Sequence, residues 1–485
     1  MSFQFVDQSG IINNSQRKLI RSHVMKGKNT GKKRSKREQQ QQEQHIASTA
    51  ANKSIVLRRG EINNLDESAS TTHSQRGSSI LAVTRQIAND PSLLSSTKGI
   101  APQTMFHLRQ MSSYILDVTS PPEFCQSTGV TEWIWFQLAF YNKAYFHCTV
   151  AIASACAAFL TGDTSHSPVA LCHMSEAYRL LNKTLSSNEP LSDATIAVVA
   201  AINIYDRLYG DPQKAMVHLE GLAGLVVSRG GIAELARRNF VVAEKALRSD
   251  IELALSCGST PKFSSEDVPR HLILIHPRPP KSGEAELAEE SILHRAVSAH
   301  LSEVVLEILH FSNLLDRASR EEKLDSMTYQ CTLLYIGYRL LETKPAHSNS
   351  EAIKSRTLDS LVLSALTGFQ NTFCFGIGRK LMAFPRVIDR FRSVSQNIRA
   401  DTQSQQMVVL WSLLMGRVSA LVQDEDDEWL IPKMKSLADV MGLRAWVDVS
   451  GLLVGFPWVR VAHEIQGREF WDAKIARLSR SLESA

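Results

Sequence analysis

Two adjacent pairs, His147-Cys148 and Cys172-His173, carry side chains suited to metal chemistry. Imidazole and thiolate are both zinc ligands, but neighbours on a helix point to different sides, so neither pair closes easily on one ion. The seven cysteines are Cys125, Cys148, Cys156, Cys172, Cys257, Cys331 and Cys374, and no two stand at C-x-x-C spacing. No closed set of four Cys/His ligands can be drawn, so the expectation is no stoichiometric zinc, no metal site and no cofactor. Gly376-Ile377-Gly378 is the start of a dinucleotide fingerprint, yet no strand pattern precedes it and the third glycine is missing. The chain has no G-x-S-x-G elbow, no G-x-x-x-x-G-K-[ST] phosphate loop and no H-E-x-x-H helix. With no catalytic residue to name, the expectation is a protein that is not an enzyme.

Three polar features remain. The basic cluster Lys32, Lys33, Arg34, Lys36 and Arg37, with Arg17 and Lys18 upstream, has the composition of a bipartite nuclear localisation signal. The same charges suit phosphate contacts, which give nucleic-acid affinity without sequence choice, and a solvated tail without a role is a further reading. His218 reads as a hydrogen-bonded structural histidine or a pocket group. Arg229 suits the negative end of a helix and its free carbonyls. Asp424 to Glu428, next to Trp429, reads as a solvated acidic loop or an acidic activation motif.

The element that positions His218 and Arg229 runs from Leu191 to Leu235. Ser192 and Asp193 can cap and charge a first helix. Ile196, Val199, Ile202, Tyr205 and Tyr209 recur at helical spacing, so one side is built for burial. Gly210 and Asp211 stop that helix, and Asp211 caps a second one with Pro212 at its first position. Ala215, Leu219, Leu222 and Val226 form the second buried stripe, with Gly221 among them for close helix approach. Gly230 and Gly231 end it, because glycine takes the left-handed conformation without strain.

These same residues carry a resemblance. Tyr205-Asp206, then Gly210, then His218-Leu219-x-Gly221 and the exit Arg229-Gly230-Gly231 resemble the fungal-specific transcription factor domain. The closer likeness is to the variant in fungal regulators and in fungal proteins labelled "tachykinin family". The opening Phe3 and Phe5, followed by Arg17/Lys18-x-x-Arg21-x-x-x-Met25-x-Gly27-Lys28, is similar to the start of family members that lack a zinc cluster. Met407-Val408-Val409-Leu410-Trp411, Gly455-Phe456-Pro457-Trp458 and Phe470-Trp471 resemble later segments of that domain, so the likeness spans roughly residues 103–473. The resemblance implies a nuclear protein of transcription regulation. It departs from the usual pattern at one point: no cysteine occurs before Cys125, so the C-x2-C-x6-C zinc cluster that reads DNA is not in this sequence.

The bulk numbers agree with a helical body and a basic arm. The chain has 485 residues, 44% apolar, with a net charge of +5. Residues 1–37 hold ten Lys or Arg against one acid, whereas the rest holds 44 basic against 48 acidic residues. Residues 1–77, with their glutamine tract and few aromatics, are expected to form a disordered basic arm. Residues 78–485 are expected to form a helical domain, with 258–290 as a proline-rich loop or insertion. Helices are expected at 80–94, 105–117, 131–160, 167–185, 232–255, 291–317, 326–341, 357–375 and 405–421. The run from Ala144 to Leu160 contains His147, Thr149 and Ser154 and suits a buried helix better than a lipid span. Scattered cysteines and the lack of a secretory signal pattern fit a reducing compartment. The resulting expectation is an all-α array of helical hairpins. Its function is that of a nuclear transcription-regulatory or interaction protein. Its expected partners are a nuclear import receptor and other transcription-related proteins, with no membrane partner. The alternative is a helical scaffold or small-molecule effector-binding protein without a transcriptional role.

Overall fold

In the computed structural model, helix follows helix, and other regular structure is nearly absent among the described residues. The structure describes residues 118–126, 138–139, 141–162, 167–187, 191–275, 291–343 and 351–476 except 375, 378 and 379, with single positions at 106, 108, 111 and 115. The basic arm and its localisation signal, and the helix expected at 80–94, lie outside them.

Among the described residues, six helices with full bounds precede the long loop: α1 (Lys143–Thr161), α2 (Pro168–Leu185), α3 (Asp193–Leu208), α4 (Pro212–Ser228), α5 (Ile232–Arg238) and α6 (Phe240–Cys257). Two 3-10 turns, Ser265–Asp267 and Arg270–Leu272, punctuate the described part of the loop. Then come α7 (Ile292–Ala296), α8 (Ala299–Arg320), α9 (Ser326–Glu342) and α10 (Glu351–Cys374). A two-residue hairpin, β1 (Gly376–Ile377) with β2 (Lys380–Leu381), is the extent of sheet among the described residues. The chain closes with α11 (Pro385–Asn397), α12 (Gln403–Val418), α13 (Asp427–Met441), α14 (Trp446–Leu453), α15 (Arg460–Phe470) and a π-turn at Trp471–Ala476. The fold is all-α.

The α3–α4 hairpin forms for the local reasons its sequence carries. The Ser192 hydroxyl accepts from the Thr195 N–H and Asp211 accepts from the Lys214 N–H, so each helix has a side-chain cap. Gly210, Gly230 and Gly231 hold φ of +68°, +95° and +90°, which side-chain-bearing residues avoid. Ala215, Leu219, Leu222 and Val226 are buried. On α3 burial is wider than one stripe and covers every residue from Thr195 to Asn203, because α1, α4 and α6 pack around it.

Three expected helices are broken: 131–160 at Asn142, whose φ is −123° and whose side chain caps α1 by accepting from the Tyr145 N–H, and the two that follow. The run 232–255 is cut at Asn239, whose φ of −150° is not helical and whose side chain caps α6 by accepting from the Val242 N–H. Asparagine competes for backbone groups in this way and favours caps over helix interiors. The run 291–317 is cut at Val297 and Ser298, both extended, where the Ser298 N–H donates to Asp359 Oδ1 on α10. In each case the apolar spacing continues through the break, which hides it from periodicity alone.

Helix α1 is long and apolar enough by length and composition to cross a membrane, and half of that window is buried inside the protein. Its Cys148, Val150 and Ala151 are fully covered, with α2 and α3 packed against it. Helix α6 is the hub and touches α3, α4, α5, α9 and α11.

Two glycines that look alike in sequence differ in surroundings. A Cβ on Gly221 would meet nothing within 4 Å, so the close approach expected there does not occur. On Gly416 of α12 the same atom would overlap the ring of fully buried Phe391. Gly221→Ala is therefore expected to raise stability by about 0.5–1 kcal/mol through helix propensity. Gly416→Ala should lower it by about 1–3 kcal/mol through overpacking. Urea midpoints at constant slope would read both, and equal shifts of one sign would refute the distinction.

Candidate functional site

The residues of the hairpin pattern come together, and their contacts are structural. His218 Nδ1 on α4 lies 2.7 Å from Asp206 Oδ2 on α3, and the Tyr178 ring of α2 sits 5.9 Å from the imidazole. Tyr205 is buried with its ring 4.9 Å from Tyr209. Arg229 does not cap its own helix with its side chain. It reaches back to Asp193 at 3.2 Å, and Arg238 joins the same carboxylate at 3.5 Å. Asp206 with His218 and Asp193 with Arg229 link α3 to α4, while Gly210 makes the turn between them and Gly230-Gly231 the exit towards α5. Gly221 lies on a part-exposed side and takes no part.

The two His/Cys pairs meet across helices in an unforeseen way. His147 Nδ1 of α1 and His173 Nδ1 of α2 lie 2.9 Å apart, half-buried, while Cys148 is buried and Cys172 is exposed. Burial lowers the pKa of both imidazoles, and at His173 the charge of His147 adds to it. Among the described residues no group of three or more His, Cys, Asp or Glu side chains could hold a metal ion. The acidic run at 424–428 is solvated at Asp424, Glu425 and Glu428 and buried at Asp426. It is a 3-10 turn entering α13, with Asp426 buried and gripped by Arg392 at 2.6 and 3.0 Å and by the Trp429 indole at 2.9 Å. Burial pushes the Asp426 carboxyl up, but hydrogen bonds from Arg392, the Gln423 N–H and Trp429 outweigh it and hold it at about 2.

The site that spacing missed is the interior of α6. Every residue from Val242 to Leu255 is buried, including Glu244, Lys245, Arg248, Asp250 and Glu252. Arg248 Nε donates to Glu244 Oε1 at 2.6 Å, and its other nitrogens reach Gln330 Oε1 and the Cys374 carbonyl. Arg207 of α3 forms an ion pair with Glu252. Lys245 lies 6.0 Å from the centroid of the Tyr145 ring. Asp250 accepts from the Lys262 and Phe263 N–H groups at 2.9 Å and from Tyr338 Oη at 3.0 Å, which pins the start of the loop. Burial lowers the Lys245 pKa well below its ordinary value; Glu244 opposes this and Arg248 adds to it. Burial and the charge of Arg248 likewise lower that of Arg207, to about 9.

A cavity of about 140 Å³ opens beside these charges. Three helix faces converge on it: Tyr145, Thr149, Ile152 and Cys156 of α1; Ala201, Ile204, Arg207 and Leu208 of α3; and Lys245, Arg248 and Glu252 of α6. A fourth wall comes from the segment bearing Val118 and Thr119. Gln330 Nε2 donates to the Thr119 carbonyl at 2.6 Å and so ties that wall to Arg248. The column Glu244-x3-Arg248-x3-Glu252 puts these charges on one helix face in the sequence, but spacing alone does not tell that the face is buried.

Comparison with known proteins finds one likeness, confined to this region. Residues 114–274 match the family model of the fungal specific transcription factor domain. The match takes in α1 to α6, both 3-10 turns and most of the cavity wall, about a third of the chain. The later segments 407–411, 455–458 and 470–471 lie outside it, so the matched span is narrower than the expected 103–473. They still form part of the same core: Trp411 is fully buried, its indole N–H donates to the Pro457 carbonyl at 3.1 Å, and its ring stacks on Phe456 at 5.5 Å. No curated protein and no solved structure matches the chain.

Among the imidazoles of the described residues, His463 is the most deeply buried. Its Nδ1 accepts from the Val459 N–H at 3.1 Å, and burial lowers its pKa to about 3 from an ordinary 6.5. The unfolded chain therefore binds a proton near pH 6.5 that the folded chain refuses. Stability present above pH 6.5 is expected to fall as the pH drops towards 3, at on the order of 1 kcal/mol per pH unit. The raised carboxyls of Asp250, Glu307 and Asp316 act with the opposite sign. Comparing urea midpoints of the parent and His463→Asn between pH 7 and 5 isolates the histidine. A drop equally steep in the variant would show that His463 does not cause it.

Proposed function

We propose that this chain is a nuclear transcription-regulatory protein that works through another protein, not through a DNA-reading cluster of its own. The family match over residues 114–274 carries the regulatory part of this reading. The sequence supports the rest. No C-x2-C-x6-C pattern is present, and residues 17–37 concentrate positive charge as an import receptor requires. The helical body would then be the specific element, recognised by transcription-related proteins, and no catalysis is involved. Phosphate contacts position a protein, whereas base contacts specify a site, and a basic arm supplies only the first.

The test is genome-wide chromatin occupancy of the tagged full chain. Discrete peaks that vanish when a co-purifying DNA-binding partner is depleted are expected; uniform absence from chromatin would overturn the reading. Nuclear entry is tested separately. With Lys32, Lys33, Arg34, Lys36 and Arg37 all replaced by Ala, a fluorescent fusion is expected to lose most of its nuclear accumulation. Unchanged accumulation would exclude the arm as the signal.

A further inference from the structure

We propose that the cleft between α8, α14 and α15 docks an acidic amphipathic helix of a partner protein. This rests on the reading that the chain works through another protein, and it gives that partner a place and a chemistry. The cleft has a volume of about 660 Å³. Its walls are the second half of α8, from His310 to Glu321, the end of α14 with Val454, and the α15 row Arg460, Glu464 and Arg468. At about 1.5 Å per residue the α8 wall is about 16 Å long and the α15 wall about 12 Å, which is room for about two to three helical turns. A partner helix laid in such a groove meets it through side chains three and four residues apart.

Charge and exposed apolar surface specify the occupant. Arg317, Arg320, Arg460 and Arg468 line the cleft against Asp316, Glu321 and Glu464. Two of these acids are committed within the fold. Asp316 Oδ1 accepts from the Arg460 N–H at 2.9 Å and so holds the first turn of α15. Glu464 accepts from the Trp446 and Trp458 indoles at 2.6 and 3.4 Å and from Arg468 at 3.2 Å. Arg320 donates from Nε to the Asp316 carbonyl at 3.1 Å. Asp316 feels the charges of Arg320 and Arg460, yet among the described residues neither guanidinium is in ion-pair contact with a carboxylate. Both side chains are exposed, where a carboxylate from outside can reach them. Large apolar side chains stand exposed on the same two helices: Val447 and Val454 in one row along α14, at 71% and 72%, and Val461 and Ile465 in one row along α15, at 49% and 68%. Apolar surface grouped in this way and rimmed by charge marks a protein contact. A helix with carboxylates on one side and leucines on the other complements both features.

The experiment follows fluorescence anisotropy of two labelled peptides on the purified full chain at physiological salt. One is an amphipathic helix of Glu and Leu about 18 residues long, or about five turns, and the other carries Lys in place of Glu. The basic arm also attracts acid, so variants of the cleft carry the test. Arg320→Glu with Arg460→Glu is expected to weaken the acidic peptide about tenfold or more and to strengthen the basic one. Val447→Ser with Val454→Ser leaves the arginines in place and should also weaken the acidic peptide, by about tenfold. All four positions are exposed, and circular dichroism checks that the variants keep their helices. A benzophenone at the centre of the acidic peptide is expected to label α8, α14 or α15. The proposal is overturned by labelling confined to residues 1–37, by either double variant binding as tightly as the parent, or by no binding of the acidic peptide at about 100 µM. Chromatin peaks without binding at the cleft leave the regulatory reading in place, and binding at the cleft without peaks leaves only the docking site.

Discussion

Glu252→Ala is expected to destabilise the helical body by about 3–5 kcal/mol, the scale of leaving one member of a buried ion pair behind. Arg207 is its partner, with both side chains about nine-tenths covered. Arg207 also donates from Nε to Asn203 Oδ1 at 3.0 Å, and Asn203 Nδ2 donates to the Ala215 carbonyl at 2.6 Å. The pair thus joins α3 to α6 while Asn203 joins α3 to α4, so the loss should spread through the hairpin. Glu252→Gln keeps shape and removes only charge, and it should show most of the same cost. The double variant Arg207→Met with Glu252→Leu should recover much of the stability, because an apolar pair of similar volume has no charge to desolvate. Urea unfolding of the parent, the single variants Arg207→Met and Glu252→Leu, and their double closes the cycle. Single variants within about 1 kcal/mol of the parent would show that water reaches this pair.

What the sequence made legible is what depends on near neighbours in the chain. The hairpin was readable because its signals are local: Ser192 and Asp211 as caps, Pro212 at a first turn, Gly230-Gly231 at an exit, and Ala215, Leu219, Leu222 and Val226 at helical spacing. The breaks at Asn239 and Val297 were not, since apolar spacing runs through both and the deciding contact at Ser298 is with Asp359, far along the chain. Gly221 and Gly416 show the same limit. Each is a glycine in an apolar helix, and only the presence of Phe391 against the second separates them. For the site, Asp206 and His218 were singled out one at a time, and their pairing emerges only when α3 and α4 fold together. The α6 charges were the largest omission. Charged residues in a helix normally mark its wet face, and nothing within Glu244 to Glu252 says that α3, α4, α9 and α11 will surround it. Their partners Arg207, Gln330 and the Cys374 carbonyl are drawn from three other elements, so no spacing rule reaches them.

The full chain is expected to bind random duplex DNA with an affinity that collapses between 50 and 200 mM salt, by about 10³–10⁵ if about six to ten phosphates are contacted. The contacts must come from residues 1–37, where ten Lys or Arg stand against one acid. The remaining sequence has 44 basic and 48 acidic residues and offers no net attraction to phosphate. The positive cluster in its interior, Arg207 with Lys245 and Arg248, is buried and cannot reach a groove. Sequence choice requires side chains held in register against base edges, typically by a helix or strand in the major groove. A basic segment selected for charge has no such requirement on its order, and the run lacks the interleaved aromatics that stack on single-stranded bases. Affinity from the arm should therefore be indifferent to sequence, and deleting residues 1–37 should remove nearly all of it. The measurement is a binding isotherm for random and selected duplexes across a salt series, with and without the arm. A preferred motif that survives physiological salt after the arm is deleted would require a base-reading surface on the helical body, and the protein would then act on DNA directly instead of through a partner.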